Sequence, residues 1–202
     1  MMRNFLKVAI TVCGLIAFTS ANAQVPISFA GQIGYASPQG SWFKGEDGEK
    51  SSKFGIGIDF DILYHLEQFE NKLGVGVTYN SSFLFSTADG IGLYGLGLYG
   101  VKGHYRFFNS TCSPYGALSL GLGHFATPEI TMTDWDGNET VVAKSENAFS
   151  FGIRPEIGVE LGGFIISAGF IIPMKYSLYD VKNSAGALQI NIGYRYCLFD
   201  RN

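Results

Sequence analysis

Residues 53–66 read KFGIGIDFDILYHL, a stretch in which every second side chain is large and apolar. The apolar series is Phe54, Ile56, Ile58, Phe60, Ile62 and Tyr64, and glycine or a charged or polar residue fills most of the positions between. Because successive side chains of a β-strand point to opposite faces, this alternation predicts a strand with one wholly apolar face. The stretch therefore favours a sheet whose two faces meet different surroundings.

The same alternation recurs along the rest of the chain. It is clear in residues 149–161 and 188–198, and weaker in residues 27–35, 73–79, 99–107, 118–122 and 164–176. Together with 53–66 these stretches predict eight strands. An even strand number is typical of bacterial single-chain barrels, in which both termini lie on the periplasmic side. The sequence thus predicts an all-β fold, an eight-stranded antiparallel up-and-down β-barrel.

The predicted connections alternate between long and short. The long ones are Pro38–Lys50, Ser81–Gly92, Ala126–Asn147 and Ser177–Ala185, and the short ones are Glu67–Asn71, Asn109–Ser113 and Gly162–Gly163. Outer-membrane barrels have long extracellular loops and short periplasmic turns. If the chain starts in the periplasm, all the short connections are periplasmic, as that architecture requires.

The two faces of the sheet indicate a transmembrane barrel. A soluble lipocalin-type barrel alternates as well, but with its apolar face inward. Here the ionisable strand residues share a face with most of the glycines, and a narrow barrel holds only small residues and a packed polar network. Tyrosines near the strand ends of the apolar face resemble an interfacial girdle: Tyr35, Tyr64, Tyr79, Tyr99, Tyr105, Tyr176, Tyr194 and Tyr196.

The polar face carries the residues most open to a functional interpretation. We expect the following side chains in the lumen: Asp59, Asp61, His65, Lys102, His104, Arg106, Arg154, Glu156, Glu160, Lys175 and Arg195. Charges in a tight, water-poor interior persist when they are paired, so the first interpretation is a structural network. The alternative is a narrow ion path, and the sequence does not show which residues lie at the same height.

The N-terminus has the pattern of a cleavable export signal. Arg3 and Lys7 form a positive region, residues 8–18 are uncharged, and Ala21-Asn22-Ala23 resembles a signal-peptidase site. The domain prediction is therefore a signal peptide at residues 1–23 and one barrel domain at residues 24–202. The net charge of −3, without a basic run, argues against nucleic acid as a partner.

Three motifs allow a functional interpretation that is weaker than the structural one. Residues 95–100 match G-x-G-x-x-G, but a strand rather than a helix follows, so we interpret them as barrel strand. Residues 134–139 resemble the start of a calcium loop, but their glycine comes too early for an EF-hand, and a hairpin turn fits better. His124 is the candidate base for a lipid-modifying enzyme, with Ser119 nearby, although its parity places it on the outer face. The sequence predicts no catalytic, cofactor or metal site.

Cys112 and Cys197 are expected at the same rim of the barrel. A disulfide requires Cα atoms within about 7 Å, and the strands concerned lie across the barrel from each other. The sequence leaves the pairing open.

The last strand resembles a known signal. Residues 191–198 read NIGYRYCL and are followed by Phe199, a pattern similar to the C-terminal sorting signal that the outer-membrane insertion machinery reads. The residues that match are Asn191, Gly193, Tyr196, Leu198 and Phe199. With the strand number, this chain resembles the OmpA/OmpX-type small outer-membrane β-barrel family over residues 24–199. The tail at 200–202 departs from that pattern, because many members end on the aromatic residue.

The resemblance implies a location and a set of partners. We expect a bacterial outer-membrane protein that contacts membrane lipid and lipopolysaccharide, and that meets periplasmic chaperones and the insertion machinery during biogenesis. The functional hypothesis is a structural or surface-interaction role through four extracellular loops, with an unknown extracellular ligand. The alternatives are a narrow ion or small-solute channel and, less favoured, a lipid-modifying enzyme.

Overall fold

The computed structural model describes residues 25–44, 51–86, 92–133, 139–178 and 181–199. The predicted signal peptide, residues 1–23, lies outside the described residues. Residues 134–138, which begin the stretch that resembles a calcium loop, also lie outside the described residues.

Ten strands and two 3-10 helices make up the described chain. The strands are β1 (Ile27–Gln39), β2 (Ser52–His65), β3 (Leu73–Ser86), β4 (Leu93–Arg106), β5 (Cys112–Ala126), β6 (Ile130–Thr133), β7 (Glu139–Ala143), β8 (Asn147–Leu161), β9 (Phe164–Leu178) and β10 (Val181–Cys197). The 3-10 helices are Ser41–Phe43 and Glu67–Phe69. No helix in these ranges has the length and apolar character needed to cross a membrane.

Eight of the strands close into one antiparallel barrel, in the order β1-β10-β9-β8-β5-β4-β3-β2. Each barrel strand pairs with the next barrel strand along the chain, with β5 pairing to β8 across the β6–β7 hairpin. β1 pairs with β10 from Ser28↔Cys197 to Gln39↔Gly186, which closes the ring. The predicted eight-stranded up-and-down barrel is confirmed. The strands β6 and β7 form a separate hairpin between β5 and β8.

The two ends of the barrel differ in their connections. At the terminal rim, where β1 begins and β10 ends, the links are residues 66–72, 107–111 and 162–163. The tightest of them places Gly162 and Gly163 at φ values of 58° and 102°, which glycine adopts without strain. At the opposite end, the loop rim, two links are long, residues 40–51 and 127–146, whereas the links at 87–92 and 179–180 are short, so the long connection predicted at 177–185 is wrong.

The strands reach further towards the loop rim than the sequence pattern indicated. β3 continues into the predicted loop as far as Ser86, β4 begins at Leu93 instead of Tyr99, and β9 and β10 occupy most of the predicted loop at 177–185. In the extension of β3, Phe83, Leu84 and Phe85 are consecutive apolar residues, and this hides the alternation on which the prediction depended.

The outer wall of the barrel is apolar. Ile157 is 69% exposed, Phe151 66% and Val101 60%. Seven of the eight predicted girdle tyrosines are outward, whereas Tyr176 is only 2% exposed. A contiguous exposed apolar surface of this kind marks contact with a membrane or another protein.

A β-bulge in β9 explains the misplaced tyrosine. Ala187 pairs with Ile171 and Ala185 pairs with Met174, so β9 contains one more residue than β10 across this interval. The irregularity includes Pro173, which has no N–H to donate to a ladder. A one-residue slip moves every later side chain to the other face. Tyr176 therefore points inward, and Lys175, which we had predicted to lie in the lumen, is exposed on the outer surface.

Candidate functional site

The lumen is the candidate site, and it consists of three layers. Nearest the terminal rim is a charge network made of Asp59, Asp61, Lys102, His104, Arg106, Arg154, Glu156, Glu160 and Arg195. Above it is an amide layer made of Asn80 and Gln189. Towards the loop rim lies an apolar chamber formed by Ala36, Phe43, Leu84, Leu96, Phe125, Ile171, Met174, Tyr176, Ala185 and Ala187.

Lys102 is the centre of one half of the charge network. Its Nζ lies 2.8 Å from Asp61, 3.1 Å from Glu156 and 3.9 Å from Asp59, and all these side chains are fully buried. Arg154 also binds Asp59, at 2.8 Å, and forms an ion pair with Glu156. The period-two pattern of β2, β4 and β8 turns all of them inward, and the register places them at similar heights.

Arg195 is the centre of the other half. It donates to Asp61 at 2.7 Å and to Glu160 at 2.9 Å. Glu160 is shared with Arg106 at 3.1 Å and with His104 at 3.3 Å. Because Asp61 binds both Arg195 and Lys102, the two halves form one continuous network that links β2, β4, β8 and β10.

The charges of this network balance. Its cations are Lys102, Arg106, Arg154 and Arg195, and its carboxylates are Asp59, Asp61, Glu156 and Glu160. A fifth cation, Lys175, would leave one positive charge without compensation in a dehydrated interior, which is costly. The outward placement of Lys175 is therefore consistent with the electrostatics as well as with the bulge.

Two further side chains contribute to the network, and the sequence analysis missed both. Tyr115 is buried and donates its hydroxyl to Glu156 at 2.7 Å. Gln189 accepts a hydrogen bond from Arg154 at 3.2 Å and exchanges hydrogen bonds with Asn80 at 2.8 and 3.2 Å. Their inward parity was readable from the sequence, but an uncharged side chain does not signal an ion-pair network by itself.

The apolar chamber is also absent from the sequence-based expectation, which filled the whole lumen with polar residues. Leu84, Leu96, Phe125 and Ile171 are completely buried there. Leu84, Leu96 and Phe125 come from strand extensions near the loop rim, and Ile171 comes from the predicted part of β9. The lumen is thus ionic near the terminal rim and hydrocarbon-like near the loop rim.

The 3-10 helix Ser41–Phe43 covers the chamber. Phe43 is 2% exposed and makes edge-on ring contacts with Tyr94 and Phe125, at centroid distances of 5.6 and 5.9 Å. Ser41 anchors the helix to β10, because its backbone N–H donates to the Ser184 hydroxyl at 3.2 Å and its hydroxyl accepts from the Ser184 N–H at 2.9 Å. The mouth of the barrel is therefore packed with side chains.

The terminal rim is covered by another aromatic contact. His65 is fully buried, lies 2.7 Å from the Ser28 hydroxyl and 3.0 Å from the Asn71 carbonyl, and its ring lies 4.9 Å from that of Phe199.

The residues resembling a sorting signal fall in β10 and just after it: Asn191 and Phe199 are buried, Tyr196 is outward, and Gly193 and Leu198 are half-buried. Within the described residues, no disulfide joins Cys112 to Cys197.

The candidate enzyme residues do not come together. Ser119 is buried on the inner face of β5, whereas His124 lies on the outer face, 3.0 Å from the Asn147 side chain and in ring contact with Phe149. The G-x-G-x-x-G stretch at 95–100 lies within β4. These placements provide packing contacts and no nucleophile-base pair between the two residues.

Comparison with known proteins is informative about the fold. No protein-family model and no curated protein sequence matches the chain. Neisserial surface protein A, NspA, has a similar crystal structure, with a TM-score of 0.59 and 15% identity over 85% of this chain and 97% of that chain. Ail, the attachment invasion locus protein of Yersinia pestis, has a TM-score of 0.52 and 21% identity over 84% of this chain and 99% of that chain. With its closed ring of eight antiparallel strands and its apolar outer wall, this chain has the fold of the small outer-membrane β-barrel proteins.

Proposed function

We propose that the chain is an integral outer-membrane protein with a sealed interior that acts as a structural and surface-interaction protein through its loop rim. The observation that carries this proposal is the charge-balanced network, whose members are buried and paired across four strands. A solute would have to break those ion pairs to pass. The similar solved structure of a Neisserial surface protein supports a surface role.

The proposal includes an orientation. The long connections face the cell exterior and both termini face the periplasm, because outer-membrane barrels keep their short turns on the periplasmic side. Membrane lipid and lipopolysaccharide surround the apolar wall. Residues 191–199 serve as the signal for the insertion machinery, and periplasmic chaperones carry the chain before insertion. We propose no nucleic acid partner, no cofactor and no enzymatic activity.

Planar-bilayer recording tests the sealed interior. The refolded protein, reconstituted at single-molecule density, should give no unitary conductance steps, because the charge network leaves no continuous aqueous path. A large porin recorded in the same bilayers checks that insertion is detectable. Steps in the wild type that change in size when Glu156→Gln is recorded would overturn the proposal and favour the channel alternative.

Gel migration tests membrane insertion. After outer-membrane fractionation, the unheated protein should run as a compact band that shifts on boiling, since a closed barrel resists detergent until it is heated. Recovery of the protein in the soluble fraction, without a heat-dependent shift, would contradict the proposed location.

A further inference from the structure

The barrel wall has a fork between β8 and β9. Their ladder runs from Leu161↔Phe164 to Glu156↔Gly169 and stops there. β8 continues to Asn147 and β9 to Leu178, each still paired with its other neighbour. Among these described residues, no ladder pair joins 147–155 to 170–178. The β8–β9 ladder thus joins the two strands near the terminal rim, whereas the part of this seam towards the loop rim has no ladder pairs.

Prolines mark both sides of the fork. Pro155 is the first β8 residue beyond the last pair, and Pro173 lies in the bulge of β9. Proline lacks the N–H that a ladder requires, so it occurs at edges and bulges of sheets. In hydrocarbon an unpaired backbone N–H is costly, and a proline at an unpaired position removes that N–H. Pro155 thus stands where the β8–β9 ladder ends, and Pro173 is a second proline in the part of β9 that has no ladder to β8.

A cavity lies at the fork. It has a volume of about 290 Å³ and is lined, beside the last ladder pair, by Pro155, Ile157, Ala168, Phe170 and Leu188. The lining side chains are almost all apolar, and Ile157 at its edge is among the most exposed apolar residues of the outer wall. The cavity is thus continuous with the surface that, under the proposed function, contacts the hydrocarbon of the membrane.

Behind the seam lies the apolar chamber. Met174 and Tyr176 of β9 reach inward, and Met174 lies against the backbone of Gly123 and Gly152, where an added Cβ would clash with its sulfur. Methionine is unbranched and adaptable, and it repacks around a variable neighbour more readily than other core residues. Between the seam and the rest of the apolar chamber therefore lies Met174, whose side chain can adopt other conformations.

We propose that the fork between β8 and β9 is a binding site for one acyl chain of a membrane lipid, which enters sideways from the outer leaflet and points towards the apolar chamber. The occupant is a lipid chain because the cavity opens through the lipid-facing wall and offers hydrocarbon contacts. The site rests on the proposed membrane insertion and adds a lipid-binding activity to it.

Native mass spectrometry of the detergent-released protein tests the site. The probe is phosphatidylethanolamine with two myristoyl chains, supplied in the refolding micelles. The wild type should retain one phospholipid under collisional activation. Ala168→Trp, which fills the cavity, should reduce the retained fraction at least tenfold. Val77→Trp, an outward substitution on β3, three strands from β8 around the ring, should retain lipid like the wild type.

A second, smaller substitution tests the site in case Ala168→Trp does not fold. Pro155→Val restores an N–H at the fork with a good strand former, and it should lower retention at least threefold by extending the ladder. Heat-modifiable migration of every variant is checked first: failure of the wild type to form a compact band contradicts membrane insertion itself. Equal retention by folded wild type, Ala168→Trp and Pro155→Val would overturn the site. Retention of added myristate instead of the phospholipid would overturn the membrane-lipid source.

Discussion

At the scale of single residues, the lumen depends on the pairing of each charge. Lys102 has three carboxylates within 4 Å, and Asp61 is shared between Lys102 and Arg195. Such groups are stable only together, because the loss of one partner leaves a buried charge without compensation. The buried charges can therefore occupy this interior only as a complete network.

Removal of Lys102 should show this dependence. Lys102→Met is expected to lower the free energy of unfolding by about 3–5 kcal/mol, because Asp59, Asp61 and Glu156 lose their shared cation. Urea unfolding in lipid vesicles, followed by tryptophan fluorescence, measures the change. The matched control is Lys72→Met, which removes the solvent-exposed pair with Glu70, and this variant should unfold like the wild type. Equal midpoints for the two variants would contradict the buried network.

At the scale of secondary-structure elements, β9 is the strand in which a local irregularity changes which side chains face the lumen. The bulge at Pro173 reverses the parity of the strand, moves Tyr176 inward and Lys175 outward, and coincides with the seam to β8. The sequence alternation of residues 164–176 could not reveal this change, because a period-two pattern carries no mark of an inserted residue. Only the pairing with β10 shows where the extra residue lies.

Chemical labelling distinguishes the two placements of Lys175. A water-soluble amine-reactive reagent applied to the folded protein in micelles should modify Lys175, which is exposed, and leave Lys102 unmodified, since that ammonium group is fully buried. Peptide mass spectrometry measures both sites in one sample, and urea-unfolded protein controls for the intrinsic reactivity of Lys102. Protection of both lysines in the folded state would contradict the outward placement of Lys175 and support the sequence-based prediction that it lies in the lumen.

At the scale of the whole molecule, the fold follows from alternation and connection length, and most of the charge network follows from alternation alone. Residues such as Asp59 and Arg154 were predictable because a charge on one face of an alternating strand is unambiguous. The apolar chamber was not predictable, because Leu84 and Leu96 lie where both faces are apolar. The seam was not predictable either, because it is defined by the absence of ladder pairs between β8 and β9. Pro155 alone does not indicate whether β8 loses its pairing to β5 or to β9.

The lipid-facing wall makes a prediction for the molecule as a whole. Val101 is 60% exposed and pairs with Val77 and Leu120 on either side. Val101→Arg should lower the free energy of unfolding in vesicles by about 2–4 kcal/mol if the side chain lies near the bilayer midplane. Gln68→Arg, in an exposed turn of the terminal rim, is the control and should leave stability unchanged. Similar losses at both positions would contradict the membrane-facing assignment of the wall.

The distribution of the ion pairs over four strands has a consequence for biogenesis. Asp61 and Glu160 both depend on Arg195, which belongs to the final strand of the barrel. A polypeptide truncated before that strand keeps all four carboxylates of the network but only three of its four cations, Lys102, Arg106 and Arg154, and it has an open sheet edge. We therefore expect a chain that lacks β10 to close its interior less readily than the complete chain, because one buried negative charge would have no compensating cation.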